Sequence, residues 1–448
     1  MTVITTVNPA TNKSIQSYQC EDVTSLNAKL ALAQAGYITW SQFTIDKRVK
    51  FLLKLSQILK QNFEVYAKLI QQEMGKPFDE GVSEVLKCSS LCEYYAHHAA
   101  LYLKDELITI EGRVATVMIA PLGTVLGIMP WNYPFWQVLR AAIPIITSGN
   151  VFILKHAPNC TGAALAIADL FKQAHFPEGV FQAIIATPEA SLNLLADASV
   201  IGVTFTGSER AGRTIASFAG LHLKRTVLEL GGSDAAIILD DADISAAAAV
   251  VVSARLSNAG QVCIAPKRII VTQKNAQAFI KAVIEATKSI KIGPMAREDL
   301  RAHIHQQVLS SINEGAKCHF GGEIPEGQGF FYPPTLLTDV SPHMTAAIEE
   351  LFGPVIVIMT AKDESEAIAW ANDSPYGLGA SIFTTDLGKA QMIANRLEAG
   401  VICINDRVVS HPALPFGGIK HSGFGRELSK EGLVAFCNIK TVVRHEPF

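Results

Sequence analysis

One cysteine of this chain stands where a nucleophile would be effective. Cys263 closes the segment 258–263, a glycine-containing turn that follows the Ala-rich run 246–256, and that run is typical of a buried helix. A thiolate attacks electrophilic carbon well, and a turn at the end of a helix can present it to a cleft. Free cysteine is also among the most buried residue types, so this pattern alone leaves a packed structural thiol open as an alternative.

A carboxylate and a side-chain amide supply two further groups that chemistry at a carbonyl needs. Glu229 lies in the apolar segment 228–232, where loss of water would raise its pKa and favour a general-base role. A glutamate buried there without a partner or a function would be costly. Asn132, in the segment 130–134, follows a predicted strand and can donate a hydrogen bond to an oxyanion. A turn asparagine between two prolines is the alternative for Asn132.

Two segments are suited to phosphate and ribose groups. Residues 205–208 join a predicted strand to a predicted helix, so Ser208 can cap the helix while backbone N–H groups of its first turn face a phosphate. Lys155 ends another predicted strand and can reach a ribose or a phosphate. Plain helix capping by Ser208 and a solvated lysine at a strand end are the structural alternatives.

These residues fall on an alternation of short apolar strands and helices. Strands are predicted at 124–129, 151–155, 181–185, 200–205 and 226–230, with helices between most of them. The alternation predicts a parallel sheet covered on both faces, which binds its ligands at the carboxyl ends of the strands. The usual glycine fingerprint of a dinucleotide-binding domain, G-x-G-x-x-G, is absent.

A second α/β domain is predicted downstream, with strands at 268–271, 355–359, 380–383 and 401–404. Ahead of the first domain, residues 1–20 indicate a hairpin, residues 46–74 a long helix or a bent pair, and residues 79–101 a further helix. Residues 436–443 indicate an edge strand at the C-terminus, which suits subunit pairing.

Length, charge and composition exclude several classes of protein. A chain of 448 residues is expected to form two or three domains. A net charge of -3 and a pI near 6.5 give no reason to expect nucleic acid or an anionic membrane as partner. The first residues lack a signal-peptide pattern, and no apolar run approaches the roughly 20 residues of a membrane span, so a cytoplasmic protein is expected. The eight cysteines are scattered, and Cys88 with Cys92 indicates the core stripe of a helix, so no metal site is expected.

Five segments, 130–134, 205–208, 228–232, 258–263 and 349–354, together resemble the NAD(P)-dependent aldehyde dehydrogenase superfamily. They occur in the order of that family, and the resemblance extends over essentially the whole chain. It implies two doubly wound α/β domains, a variant Rossmann cofactor domain and a catalytic domain, plus a small β oligomerisation arm. The cofactor-binding domain is expected at 1–102 and 122–235, the catalytic domain at 236–410, and the oligomerisation or bridging segments at 103–121 and 411–448.

The resemblance also implies a mechanism. Cys263 would attack the aldehyde, the Asn132 amide and the Cys263 backbone N–H would hold the oxyanion, and Glu229 would activate the water that hydrolyses the thioester. Relatives that pass the acyl group to coenzyme A lack this glutamate, so a free acid is the expected product. The residues implied in cofactor binding are Trp131, Lys155, Thr206, Gly207, Ser208, Leu230, Glu350 and Phe352.

The cofactor is expected to be NAD or NADP. Many NAD-preferring relatives carry a glutamate three residues after the lysine, where it repels a 2′-phosphate, whereas this chain has Pro158. The substrate is expected to be a small aldehyde. Succinate semialdehyde is the first expectation, because the chain is similar to the compact bacterial succinate-semialdehyde dehydrogenases. Arg140 is proposed to hold the distal carboxylate, or else to pair with an internal acid, and Ser410 is a second candidate.

Three alternatives stay open at this stage. The chain could be an aldehyde dehydrogenase that acts on another aldehyde. It could be a cysteine hydrolase that pairs Cys263 with a histidine base. It could also be a catalytically silent protein that keeps only the fold. No histidine lies in any of the five segments, and a silent relative would be expected to have lost Cys263 or Glu229. The resemblance further implies a homodimer or homotetramer.

Overall fold

The computed structural model of the chain describes residues 2–111 and 113–444. Its helices are α1 (Val23–Trp40), α2 (Ile45–Gln61), α3 (Phe63–Met74), α4 (Phe78–Tyr102), α5 (Trp136–Thr147), α6 (Thr161–Gln173), α7 (Pro188–Ala196), α8 (Glu209–Leu221), α9 (Ile244–Leu256), α10 (Ala276–Thr287), α11 (Glu298–Asn313), α12 (Thr345–Ile348), α13 (Glu364–Asn372), α14 (Leu387–Ala394) and α15 (Ser429–Val434). Short 3₁₀ turns lie at Pro158–Cys160 and Ser257–Gly260.

The strands are β1 (Val3–Asn8), β2 (Lys13–Gln19), β3 (Glu106–Ile110), β4 (Arg113–Pro121), β5 (Thr124–Met129), β6 (Val151–His156), β7 (Phe181–Ile184), β8 (Val200–Thr206), β9 (Arg225–Glu229), β10 (Asp234–Ile238), β11 (Pro266–Thr272), β12 (Lys317–Phe320), β13 (Thr335–Thr338), β14 (Val355–Ala361), β15 (Tyr376–Gly377), β16 (Gly379–Phe383), β17 (Val401–Ile404), β18 (Ile419–Lys420), β19 (Gly423–Phe424) and β20 (Cys437–Arg444).

The first large sheet has the order β19-β9-β8-β5-β6-β7, and all its strands are parallel except β19. The chain runs outward through β5, β6 and β7 and then returns to the other side of β5 with β8 and β9. Open α/β sheets bind ligands at the carboxyl ends of the strands beside such a reversal. Asn132 follows β5 and Ser208 follows β8, so the reversal places both at one crevice.

The second large sheet has the order β12-β13-β14-β11-β10-β16-β17, and all its strands are parallel except β12. Residues 230–233 alone connect β9 of the first sheet to β10 of the second. Asp234 at the start of β10 pairs with Pro266 at the start of β11, and Cys263 lies just ahead of Pro266. The connectivity therefore brings the carboxyl end of β9, which is Glu229, towards the loop that carries Cys263.

A third sheet stands apart from these two and has the antiparallel order β20-β4-β3. It contains the edge strand predicted near the C-terminus, which pairs along its length with β4. Apolar side chains are exposed on its outer strands: Leu107, Ile110, Ile439, Val442 and Val443. The predicted segments 1–102, 103–121 and 411–448 include residues 1, 112 and 445–448, which lie outside the described residues. The domain boundaries themselves stay predictions.

The hairpin predicted within residues 1–20 is confirmed as β1 and β2, and the predicted bent pair is confirmed as α2 and α3. The sequence interpretation missed α1, α11 and β10. The buried residues of α1 differ widely in size and hydrophobicity, from Gly36 to Trp40. The sequence of this helix therefore shows little apolar periodicity. β10 has the sequence DAAII, in which alanine is a poor indicator of a strand, yet all of it is buried between neighbours.

Candidate active site

Cys263 is half-buried in the loop between the 3₁₀ turn and β11. The backbone around it is fixed by Lys267, whose side chain is fully buried. Its Nζ donates hydrogen bonds to the carbonyl oxygens of Val262, at 2.9 Å, and of Cys263, at 2.6 Å. The lysine therefore holds the peptide groups on both sides of the thiol and places a positive charge beside it.

The turn before Cys263 has an unfavourable backbone conformation, with positive φ values at three successive residues. Asn258 and Ala259 have φ values of 51° and 53°, in the left-handed region that costs a residue with a Cβ about 1–2 kcal/mol. Gly260 has φ 72°, and a Cβ at this position would lie 2.2 Å from the carbonyl oxygen of Gly353. The close approach explains why a glycine stands here in the motif.

Two buried side chains hold this turn in place. Arg255 donates to the carbonyl oxygens of Gly260 at 3.2 Å, Leu351 at 2.8 Å and Val355 at 2.7 Å, so its guanidinium joins the turn to the loop before β14. Gln261 donates from Nε2 to the carbonyl oxygen of Asn258 at 3.0 Å. The motif residues around Cys263 thus have structural roles that keep the thiol in one position.

Burial raises the pKa of the Cys263 thiol to about 11, because the thiolate loses its hydration. The positive charges of Arg140 and Lys267 act in the opposite direction, whereas Glu229 and Asp234 raise the pKa further. The group is therefore a thiol at neutral pH in this state, and its reactivity increases with the fraction of thiolate.

Glu229 ends β9 with a buried carboxyl group. Its Oε1 has no hydrogen-bond partner among the described residues, and a Cβ on Gly417 would lie 2.7 Å from that oxygen. Desolvation, reinforced by the negative charge of Glu427, holds the pKa of Glu229 well above its ordinary value, and Arg140 opposes this shift. A carboxylate with a raised pKa is a strong base for a proton of water.

Arg140 lies on α5 and is paired with an internal acid, which is one of the two alternatives that the sequence left open. Its Nε forms an ion pair with Glu427 Oε2, and only 2% and 4% of the two side chains are exposed. The guanidinium carbon also lies 4.8 Å from the centre of the Phe416 ring. Contact between Arg140 and a substrate carboxylate stays a prediction.

Glu427 is one residue near this site that the sequence interpretation missed. Its second oxygen accepts a hydrogen bond from Thr204 Oγ1 at 3.2 Å, and its charge raises the pKa of Glu229. The available signal was the position of an acid directly after the glycine-rich segment 416–426. That signal is weak because nothing local shows that the side chain turns inward to Arg140.

Asn132 joins the end of β5 to the turn before Cys263. Its side chain is 4% exposed, and Nδ2 donates to the carbonyl oxygen of Gln261 at 3.0 Å. Asn258 Nδ2 donates in return to the carbonyl oxygen of Asn132 at 2.8 Å. An amide nitrogen carries two hydrogens, and no second acceptor for Nδ2 is present in the part of the chain that the structure describes. The remaining hydrogen is suited to an oxyanion.

Helix α4 braces the loops that carry these groups. Glu84 Oε1 accepts hydrogen bonds from the backbone N–H groups of Phe135, at 2.8 Å, and Trp136, at 3.0 Å, at the start of α5. Glu80 Oε2 accepts from the N–H of Asn258 at 2.8 Å. Lys76 is fully buried and pairs with Glu84. The negative charge of the Glu84 carboxylate at the start of α5 also interacts favourably with the positive end of the helix dipole.

The crevice at the reversal of the first sheet contains the groups predicted to bind a dinucleotide. Lys155 is 8% exposed, and its Nζ has no hydrogen-bond acceptor or carboxylate within reach among the described residues. Burial lowers the pKa of Lys155. Thr206 Oγ1 is buried without a partner, and Gly207 and Ser208 lead into α8, which Ser208 caps by accepting from the N–H of Ala211 at 3.4 Å. An unpartnered cation, an unpartnered hydroxyl and a helix N-terminus fit ribose and phosphate groups.

The other predicted cofactor residues converge where the two large sheets meet. Glu350 Oε1 accepts from the N–H of Gly232 at 3.0 Å. The rings of Phe352 and Trp131 meet edge to face with centres 5.8 Å apart. Leu230 is buried and follows Glu229 directly. The predicted cofactor residues therefore extend from the crevice towards Glu229 and the Cys263 loop.

Ser410, the second residue predicted to contact the substrate, is also buried, with 6% of it exposed, in the loop before β18. Its Oγ accepts a hydrogen bond from Lys87 Nζ at 2.8 Å. Lys87 belongs to α4 and was not singled out in the sequence, because a lysine on a long helix has the pattern of a solvated residue. Like Asn132 and Glu350, Ser410 keeps its functional role as a prediction.

Within residues 2–111 and 113–444, no helix is long and apolar enough to cross a membrane. No group of three or more histidine, cysteine, aspartate or glutamate side chains in these ranges is arranged to hold a metal ion.

Comparisons with known proteins identify similar chains. The model of the aldehyde dehydrogenase family matches residues 1–442. A protein of Escherichia coli named succinate semialdehyde dehydrogenase (NAD(P)+) Sad is 44% identical over 446 residues, covering 97% of this chain and 96% of that protein. A protein of Synechocystis sp. named probable succinate-semialdehyde dehydrogenase (NADP(+)) is 44% identical over 449 residues, covering 98% and 99%.

A solved structure supports the same relationship. The succinic semialdehyde dehydrogenase from Streptococcus pyogenes in complex with NADP+ superposes with a TM-score of 0.96 and 34% identity, covering 98% of this chain and 99% of that one. The fold class predicted from the sequence is confirmed by this superposition.

Proposed function

The chain belongs to the aldehyde dehydrogenase family, and we propose that it oxidises succinate semialdehyde to succinate with NAD or NADP. The proposal is carried by the convergence of the Cys263 thiol and the desolvated Glu229 carboxyl group where the two large sheets meet. A cysteine hydrolase would need a histidine base, and the charged groups that most affect the pKa of Cys263 are Arg140, Lys267, Glu229 and Asp234, none of them a histidine. An aldehyde without a carboxylate is the second candidate substrate.

In the proposed first half-reaction, the Cys263 thiolate attacks the aldehyde carbon. The free N–H of the Asn132 amide and the backbone N–H of Cys263 hold the oxyanion of the thiohemiacetal. When bound, the nicotinamide would supply the hydride acceptor that oxidation of the thiohemiacetal to a thioester requires. Arg140 and Lys267 favour the thiolate form of Cys263 by their charge.

In the proposed second half-reaction, Glu229 takes a proton from a water molecule. The hydroxide forms a bond to the acyl carbon, the carbon–sulfur bond breaks, and the electron pair returns to Cys263 as thiolate. The free acid leaves. Gly417 has no side chain beside Glu229 Oε1, and that leaves this oxygen unobstructed for the water.

The cofactor is proposed to lie along the crevice of the first sheet. Lys155 and Glu350 would hold its two riboses, and Thr206, Gly207 and Ser208 its pyrophosphate. Leu230, Trp131 and Phe352 would pack near the nicotinamide. The unpartnered Nζ of Lys155 and Oγ1 of Thr206 support this placement.

Both cofactors are expected to be used. Pro158 is exposed at the start of a 3₁₀ turn and brings no negative charge towards a 2′-phosphate, and Lys155 has no acidic partner among the residues described. Replacing Pro158 with glutamate is expected to lower kcat/KM for NADP by roughly tenfold through repulsion and to change kcat/KM for NAD by less than threefold. Pro158→Ala is the control. Complete exclusion of NADP by the wild-type enzyme would contradict this prediction.

The substrate proposal is tested with an acid and its neutral counterpart. The wild-type enzyme is expected to show a kcat/KM for succinate semialdehyde at least about tenfold above that for its methyl ester, because a charged hydrogen bond to the carboxylate is worth roughly 1.5–3 kcal/mol. Butanal, which lacks the group altogether, is expected to fall with the ester. Equal values for the three aldehydes would mean that the site does not recognise a carboxylate.

We also propose that the chain forms a homodimer or homotetramer through the β20-β4-β3 sheet, because its outer strands expose apolar side chains.

A cytoplasmic location is proposed for the protein. The eight cysteines are all free, as expected in a reducing compartment.

A further inference from the structure

Lys87 is a cation without a counter-ion among the described residues, and the sequence did not point to it. Its Nζ donates to Ser410 Oγ at 2.8 Å and lies 4.0 Å from the centre of the Trp136 ring. No carboxylate lies within ion-pair distance of it among the described residues. A hydroxyl and an aromatic face orient the ammonium group but leave its charge uncompensated.

The neighbouring charges do not compensate for it. The negative charge of Glu84 raises the pKa of Lys87, but Glu84 already forms an ion pair with Lys76 and accepts hydrogen bonds from the first N–H groups of α5. Arg140 is already paired with Glu427. Burial, helped by the positive charges of Arg140 and Arg407, lowers the pKa of Lys87 to about 8. The region around Ser410 therefore lacks one negative charge.

The position of Lys87 relates it to the reacting groups. Trp136, which its ammonium contacts, lies on α5 one turn before Arg140, and Arg140 is close enough to Cys263 to lower the pKa of the thiol. The same helix follows the loop of Asn132. Lys87 thus borders the same end of α5 as the proposed nucleophile and oxyanion donor.

We propose that Lys87 binds the distal carboxylate of the substrate and is the residue that selects acidic aldehydes, with Ser410 holding its ammonium group in place. The inference rests on the proposed function and deepens it by assigning the cation. Arg140 then acts through its pair with Glu427, whereas the substrate carboxylate supplies the charge that Lys87 lacks.

The test compares succinate semialdehyde with its methyl ester in three variants. In Lys87→Met, which keeps the length of the side chain and removes the charge, the ratio of kcat/KM for the acid to kcat/KM for the ester is expected to fall by roughly 10- to 100-fold, mainly through KM. Lys87→Arg is expected to restore at least a third of the wild-type ratio. Arg407→Gln, which removes the exposed neighbouring cation, is expected to change the ratio by less than threefold.

The outcomes separate the two proposals. If the wild-type enzyme does not prefer the acid, the proposed substrate is wrong whatever Lys87 does. If it prefers the acid and Lys87→Met keeps that preference, the assignment of Lys87 is wrong and the proposed substrate stands. A loss that appears in Arg407→Gln and not in Lys87→Met would assign the carboxylate to Arg407. The competitive inhibition constant of succinate, which needs no turnover, is expected to rise in Lys87→Met in parallel with KM.

Discussion

Replacing Cys263 with alanine is expected to lower kcat/KM for aldehyde oxidation by at least about 10⁴-fold, because no other group can form the covalent bond to the acyl carbon. The change is measured by the absorbance of the reduced cofactor at 340 nm. Cys263 is only half-buried and its loop is held by Lys267 and Arg255 through backbone carbonyls, so the variant is expected to unfold at nearly the wild-type temperature.

The matched control is Cys318→Ala, which removes a second half-buried thiol, on β12 at the far edge of the second sheet. It is expected to keep at least half of the activity. Equal losses in the two variants would show that Cys263 has a structural role only.

The ionisation of Cys263 gives an independent check. Because burial raises its pKa to about 11, the thiolate fraction grows about tenfold for each pH unit below that value. The rate of alkylation of this residue by iodoacetamide, without aldehyde, is therefore expected to rise steadily from pH 7 to pH 10. A rate that is flat over this range would mean that the thiolate is already formed at neutral pH.

The site shows which kinds of residue a single sequence reveals. Cys263, Glu229 and Asn132 were predicted as site residues because each lies in a short segment in which neighbouring residues have structural roles of their own. Gly260 must accept the approach of Gly353, and Gln261 bonds to the same turn. Such requirements fix residue types at fixed spacing, and fixed spacing is visible in the chain.

Glu427 and Lys87 were missed for the opposite reason. Each contacts a partner that is distant in sequence, Arg140 for Glu427 and Ser410 for Lys87. Only the tertiary fold brings α4, α5 and the segment after β19 together. A charged residue on a helix or after a glycine-rich loop looks solvated until its burial and its partner are known.

The secondary structure shows the same difference between elements that the local sequence predicts and elements that depend on tertiary packing. Strands such as β5 and β6 were predicted closely because their apolar runs are bounded by turn residues. The interpretation missed β10, although it lies between β11 and β16 in the second sheet, because tertiary burial and not propensity makes DAAII a strand. The connection from Glu229 into β10 is what unites the two sheets at the site, so the missed strand is the one that explains the geometry.

Replacing Glu229 with glutamine is expected to separate the two half-reactions. The amide keeps the shape of the side chain but cannot take a proton from water, so one equivalent of reduced cofactor per site should form rapidly and steady-state turnover should then fall by roughly 10²- to 10⁴-fold. The acylated enzyme should accumulate, with an increase in mass on the peptide that contains Cys263. Glu431→Gln, an exposed glutamate on α15, is the control and is expected to turn over normally.

The raised pKa of Glu229 determines the sign of the pH dependence. Desolvation and Glu427 keep this carboxyl group protonated to a higher pH than an ordinary glutamate, and only the deprotonated form can act as a base. Hydrolysis of the thioester in the wild-type enzyme is therefore expected to accelerate as pH rises through that pKa, whereas hydrolysis in Glu229→Gln should depend on pH only through hydroxide. Single-turnover decay of the acyl-enzyme, followed by mass spectrometry from pH 5 to pH 9, measures both curves. A variant that shows no burst and turns over within threefold of the wild-type rate would remove Glu229 from the mechanism, because thioester hydrolysis would then proceed without a protein base at the end of β9.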